Sequence, residues 1–416
     1  MKTSHAKGIG IGRLVRQNKW ILLLSLLFVV FSGRMLFAQT EFSIPLHLQP
    51  VEFDQTVDLA SWNHFNRVEG LFAGGELTLT VPRIKLATIL SAGYAFSQKW
   101  PHYHVFGVKK FGGKIEGELG GGYFDHVASS DVWTIGEIEN SFAALLLHED
   151  FRNYYGLKGW RGWFQTRLRK SLTTRALFQS ALYTSVSKNT DWHLIPNHKS
   201  FPPNPAVAEG RENLLRLSGV WDRLNNPIYP TQGLFYQIAF EKALGGSAPV
   251  FRKYAALFST LRLFQPTRGN QRVALLLRGA KTWHAADLPQ HQIDFGGLGT
   301  LRGFRNKAFP NAVSFFMARA TYFFGGDVFS SPLISRIPFS DMVEMGIFAE
   351  SAKGWFENTH LRCEASPCSP IFQSGAWHSD LGVFFSISGD LVRIDVAHPV
   401  GESGSWHVTL RILPKW

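Results

Sequence analysis

From residue 66 to the C-terminus, apolar and polar residues alternate in short runs cut by Gly, Pro, Asn and Asp; they do not recur every three or four positions. The last hundred residues show this best. Leu381, Val383, Phe385 and Ile387 alternate with Gly382, Phe384 and Ser386; Val392, Ile394 and Val396 alternate with Arg393, Asp395 and Ala397. Trp406, Val408, Leu410 and Ile412 then alternate with His407, Thr409 and Arg411. A strand with one apolar and one charged face suits a sandwich only if a second sheet covers the apolar side. It suits a membrane barrel directly, with apolar residues toward lipid and polar ones toward the lumen.

The same pattern gives sixteen candidate strands. The first eight lie near 66–79, 86–98, 102–111, 113–127, 139–149, 159–169, 172–187 and 212–223. The second eight lie near 231–243, 251–264, 271–284, 311–324, 341–350, 375–388, 390–398 and 405–414. In the fifth, Ser141 to Leu147 reads equally well as a short helix. An even count is what a closed antiparallel barrel with both ends on the inner side requires. The expected fold is therefore all-β: a single transmembrane antiparallel β-barrel of about sixteen strands. The long connections 188–211, 285–310 and 351–374 all follow odd-numbered candidates, so they share one side, as long outer loops do. Only 325–340 is long on the other side, where a plug-like or surface turn is expected. Trp416, at the chain end, suits the bilayer interface.

The first residues change the picture of compartment. Lys2, Lys7, Arg13, Arg16 and Lys19 precede a twelve-residue apolar run from Trp20 to Phe31, too short to span a bilayer comfortably. Residues 1–38 read as a cleaved export signal, residues 39–64 as a short periplasmic segment, and 65–416 as the barrel. Losing the signal removes six positive charges (those five and Arg34), so the formal charge falls from +12 to +6. A modest basic excess suits an anionic lipid surface, and an exported chain leaves nucleic acid a poor partner. Outer-membrane lipids are the expected surroundings.

One stretch departs from all periodicity: Asp294-Phe295-Gly296-Gly297-Leu298-Gly299-Thr300-Leu301-Arg302-Gly303-Phe304. Its glycines permit positive φ and close approach, around one fixed charge at Arg302. It is not a dinucleotide fingerprint, because the third glycine comes one residue late and no helix follows; nor is it a phosphate loop, for lack of Gly-Lys-Ser/Thr. A flexible glycine loop remains the plain alternative.

Set between two strands of such a barrel, Gly296-Gly297 with Leu301-Arg302-Gly303-Phe304 resembles the sixth-loop Arg-Gly-Phe motif of the BamA/TamA (bacterial surface antigen) superfamily. Three further stretches are similar to that family's motifs in the same order. They are Phe65-Asn66-Arg67-Val68-Glu69-Gly70, Asp222-Arg223-Leu224-Asn225-Asn226-Pro227 with Pro230-Thr231-Gln232-Gly233, and Phe348-Ala349-Glu350-Ser351-Ala352-Lys353-Gly354. The resemblance implies an acidic partner for Arg302 at Glu350, flanked by Phe348 and Gly354. Glu350 stands where the family usually has Asp, Ala352 where it has Gly, and no acidic residue lies between Asn311 and Gly326. The twenty-seven residues between Ala38 and Asn66 leave no room for a periplasmic repeat domain, which suggests the subgroup without one.

The function implied is help with insertion or translocation of proteins or lipids at the outer membrane. A periplasmic or outer-membrane protein partner would supply a client-docking domain, and no cofactor is implied. A passive or structural barrel, including a porin-like channel, is the alternative, although such a channel has no need of an Arg-Gly-Phe loop locked inside it. Nothing points to an enzyme: His378-Ser379-Asp380 are neighbours on a strand and face opposite ways. His102 and His104 share a strand face near a turn and read as surface histidines, not as a metal site, since zinc takes three or four ligands. Gly120-Gly121-Gly122 reads as a barrel bend. The two cysteines, Cys363 and Cys368, are expected to pair in an outer loop, as an exported chain permits.

Overall fold

The computed structural model describes residues 56–112, 116–169, 171–195, 197–227, 229–324, 343–358, 371–387, 392–401 and 404–412. The expected export signal, the turn 325–340, and Cys363 and Cys368 lie outside them. Eighteen strands form one antiparallel sheet. The first nine are β1 (Val57–Ser61), β2 (His64–Asn66), β3 (Gly70–Val81), β4 (Leu86–Ala95), β5 (Trp100–Gly112), β6 (Glu116–Ala128), β7 (Tyr155–Leu168), β8 (Leu172–Ser185) and β9 (Gly210–Asp222). The second nine are β10 (Gly233–Gly246), β11 (Ala255–Pro266), β12 (Arg272–Trp283), β13 (Ile293–Phe295), β14 (Phe309–Phe323), β15 (Val343–Asn358), β16 (Ile371–Ile387), β17 (Val392–Val400) and β18 (His407–Ile412). Among the described residues two short α-helices, α1 (Glu137–Phe142) and α2 (Pro249–Lys253), sit in connections. No helix among the described residues is long and apolar enough to cross a membrane.

Among the described residues the wall holds sixteen strands, but not the sixteen expected. β1 and β2 line the same edge of β3, with Val57 opposite Leu79 and His64 opposite Phe72, and so act as one strand. β13 belongs to a loop and pairs only with the start of β14. Thus the described wall already includes Val57–Ser61, inside the segment 39–64 expected to lie outside the barrel. Arg67–Glu69, expected to lie in the first strand, is instead the turn between β2 and β3, with Asn66 paired to Gly70 at its base. Conversely, 139–149 is not a strand: α1 runs into a π-helical turn at Ala143–Leu147. Phe-Ala-Ala-Leu-Leu-Leu there has no alternation to pack as a strand, and Ala and Leu favour helix. The missed first strand and the false fifth offset one another, so parity from β7 onward is unchanged.

Three of the described connections between wall strands are long: 129–154, 186–209 and 284–308, all on one side. On the other side, 82–85 and 267–271 are tight. Along each strand the alternation sorts by face. In β5, Tyr103 and Val105 face outward, whereas His102, His104, Phe106 and Val108 are buried inside. His102 and His104 are therefore lumenal and not surface groups: His102 lies 3.4 Å from Glu69, and the His104 ring packs on Trp62 and His126. The three glycines of β6 continue a regular ladder. They make room for interior aromatics, since a Cβ at Gly120 would fall 2.1 Å from the Trp163 ring. Inward side chains pack in apolar clusters, one of them large, beside buried ion pairs that include Arg216–Glu241 and Arg272–Glu344.

Candidate functional site

The connection 284–308 leaves the end of β12 and turns back into the lumen. Its fold follows from its glycines. Gly296, Gly297 and Gly299 have φ of +103°, +74° and +78°, so Gly296 to Phe304 closes on itself. Gly297 N donates to Leu301 O at 2.7 Å, Gly296 N to Thr300 Oγ1 at 2.8 Å, and Phe304 N to Leu301 O at 3.2 Å. Leu301 is fully buried, and Phe304 packs against Phe309 and the His378 ring. At its base, Phe295 lies where a side chain on Gly354 would otherwise sit, 2.6 Å from that Cβ position.

This compact turn aims Arg302 at the wall, where it is 2 % exposed. Its backbone N donates to Glu350 Oε2 at 2.9 Å and its Nε to Glu350 Oε1 at 3.0 Å. Nη1 donates to Asp395 Oδ1 at 2.6 Å, and the guanidinium stacks 3.3 Å from the centre of the Phe348 ring. Gly303 N donates to Asp380 Oδ2 at 2.6 Å; any side chain on Gly303 would collide with Asp380 and with the backbone at His398 and Pro399. Arg319 donates to Glu350 and to Thr300 O, and Arg393 to Asp395.

Glu350, Asp380 and Asp395 come from β15, β16 and β17, with Glu350 directly opposite Asp380 and Arg319. Glu350 and Asp395 thus meet three guanidiniums in a buried cluster, and Asp380 beside them accepts a backbone N–H. A charge buried in this way is tolerable only when it is paired and hydrogen-bonded.

The structure brings Arg302 and Glu350 together, with Phe348 and Gly354 against the same loop. Sequence reasoning missed Asp380, Asp395 and Arg319. Asp395 and Arg393 alternate with apolar residues, and Asp380 precedes an alternating run, so inward charges on neighbouring strands were the available signal.

Two more groups of contacts secure the loop. At its shoulder, His291 Nε2 lies 3.0 Å from Glu212 Oε2, and Gln290 exchanges two hydrogen bonds with the Ala208 backbone. Burial lowers the His291 pKa, but Glu212, by charge and hydrogen bond, outweighs burial and raises it above its ordinary value. Above, the connection 129–154 forms a roof. Lys307 Nζ meets Asp131 at 2.7 Å, Asn153 Nδ2 donates to Asp294 at 3.2 Å, and Thr134 lies where a Gly299 side chain would be.

A barrel wall with an inward loop of this kind invites comparison with known proteins. The model of the Omp85 superfamily domain matches residues 165–383, a little over half of the chain. The chain belongs to the Omp85 superfamily. Its barrel is similar to the crystal structure of BamA from Haemophilus ducreyi lacking POTRA domains 1–3. The TM-score is 0.57 at 13 % identity, over 86 % of this chain and 69 % of that one. CdiB from Acinetobacter baumannii and CdiB from Escherichia coli match with TM-scores of 0.38 and 0.37 at 10 % and 12 % identity. They cover 86 % and 88 % of this chain and 60 % and 62 % of their own. No curated protein sequence matches. At such identities the structures speak to fold alone. As an Omp85-superfamily member the chain is an integral β-barrel of the outer membrane.

Proposed function

We propose that this Omp85 barrel assists the insertion or translocation of proteins or lipids at the outer membrane, working through its wall and inward loop and not as an open pore. The observation that carries the reading is the loop itself. Its Arg302-Gly303-Phe304 turn occupies the lumen, and three wall carboxylates hold it there. A passive channel gains nothing from filling its own conduit.

A second feature supports it. The ladders run from β1 to β18 in chain order, and none among the described residues joins β18 to β1 or β2. Unpaired strand edges are templates for an extended chain. The work is strand pairing and lipid contact, so the reading assigns no catalytic step and no cofactor. A periplasmic or outer-membrane partner that docks clients fits this role, and residues 1–38 serve as the export signal.

The test is direct. Purified protein in a planar bilayer is expected to show small, erratic conductance, and proteoliposomes carrying it are expected to speed folding of an added unfolded outer-membrane barrel. Large, steady conductance without such assistance would make it a passive pore.

A further inference from the structure

Among the described residues no ladder joins the first and last strands, yet the two sides of the seam are tied. We propose that helix α1 is a clasp that holds β2 and β18 together from inside the lumen. It ties two edges that no described ladder joins.

On the β18 side, Glu139 receives Arg411 in a two-pronged fit, Nε to Oε1 at 2.7 Å and Nη2 to Oε2 at 3.0 Å, with both side chains buried. Such a fit is the strongest ionic tie side chains offer. On the β2 side, Ser141 Oγ accepts the Phe65 backbone N–H at 3.0 Å, so a main-chain donor of the edge strand is satisfied by the helix. Glu137 Oε1 lies 3.2 Å from His64 Nδ1. An apolar contact joins these ties: Phe142, Ala144 and Leu145 pack with Phe65, and Ile412 of β18 packs against the same group.

The turn after β2 is fixed by the same connection. Arg67 N donates to Asp150 Oδ2 at 2.8 Å, and its guanidinium lies 3.3 Å from Asp150 Oδ1. One connection, 129–154, therefore grips both seam strands while its Asp131 and Thr134 press on the inward loop. Linkage follows: whatever stabilises the seated loop also stabilises the closed seam. If the proposed assembly function holds, a client entering through the seam must first displace α1.

Hydrogen exchange of the full chain in lipid bilayers, with no client present, tests the clasp independently of that function. In Glu139→Gln and Arg411→Gln, exchange is expected to quicken about tenfold or more in 57–66 and 407–412, and to stay unchanged in β9–β11. The charge swap Glu139→Arg/Arg411→Glu is expected to return those rates to within about twofold of the parent. Ser141→Ala, a small change that leaves the ion pair in place, is expected to quicken 64–66 alone. Unchanged seam exchange, acceleration spread evenly through β9–β11, or no recovery in the swap would each overturn the clasp.

Discussion

Arg302→Ala tests the central claim about the lumen, and its size can be worked from the contacts. The substitution removes two charge-assisted hydrogen bonds, to Glu350 and Asp395, each worth about 1.5–3 kcal/mol. It also removes the stack on Phe348, worth about 0.5–2 kcal/mol. Against that, Glu350 keeps Arg319 and Asp395 keeps Arg393, and the backbone bonds of Arg302 and Gly303 persist while the loop stays seated. Glu350 and Asp395 nonetheless each lose one of their two guanidinium partners. Breaking a buried pair in this way costs about 3–5 kcal/mol. At about 1.4 kcal/mol per factor of ten, the population with a released loop rises by about a hundredfold to several thousandfold. The barrel itself should form, because its wall ladders do not pass through the loop. In a heat-dependent gel-shift assay the folded band should be lost at lower temperature, and a protease added outside should cut near Thr300. Glu350→Ala should cost about as much, since it strands Arg319 as well, and the double variant should fall well short of the sum. Arg302→Lys should lie between, because a point charge cannot bridge two carboxylates in one plane. Full additivity, or an unchanged gel shift and cleavage pattern for Arg302→Ala, would refute the pairing.

Three other outcomes are expected. Single cysteines at Pro203 and Pro266, in a Cys363→Ser/Cys368→Ser background, should react with an impermeant reagent on intact cells at 203 only; the reverse would invert the barrel. Because the His291 pKa is raised above its unfolded value of 6.5, its bond to Glu212 stabilises the loop fully below that pH and is lost as pH climbs through the raised value. Limited proteolysis of 284–308 should therefore increase from pH 6 to pH 9, and Glu212→Gln should flatten that response. Gly299→Ala should push the roof off the loop, since the new methyl would lie 2.3 Å from Thr134 O at a strained φ, and lowered heat stability with protease access at 129–154 would register it.

The wall was legible in the sequence because period-two alternation is a direct consequence of a strand between lipid and a packed lumen. Tyr103 and Val105 face out and His104 and Phe106 in, whatever the register. Two kinds of element escaped. Val57–Ser61 is too short and too mixed to show alternation, and it is a strand only because β3 offers it an edge. The π-turned helix 137–147 looked like an apolar run, and an apolar run alone does not distinguish a strand from a buried helix. The site divided the same way. Arg302 stood out because glycines isolate it, and Glu350 followed from the motif around it. Asp380, Asp395 and Arg319 lie on three strands spread over 319–395, so which of the inward charges meet depends on register, which no local pattern carries.

Register also explains why the seam is held by side chains. As described, β18 spans His407–Ile412, and all of its described ladder is made with β17. A backbone ladder on its other edge would leave no group unsatisfied in the membrane, but opening it would expose several main-chain donors and acceptors to lipid at several kcal/mol each. Ties through α1 divide the task differently. The Arg411–Glu139 pair and the Ser141–Phe65 bond sit on the lumenal side, where their separated groups meet polar side chains and not hydrocarbon. Breaking them costs a few kcal/mol, within what pairing an incoming strand to the exposed edge can return. Val408 and Leu59, 70 % and 75 % exposed on the outer face, mark that edge as the least covered part of the wall. Under the proposed function, an edge held from within is one that an incoming strand can pair with once the clasp opens.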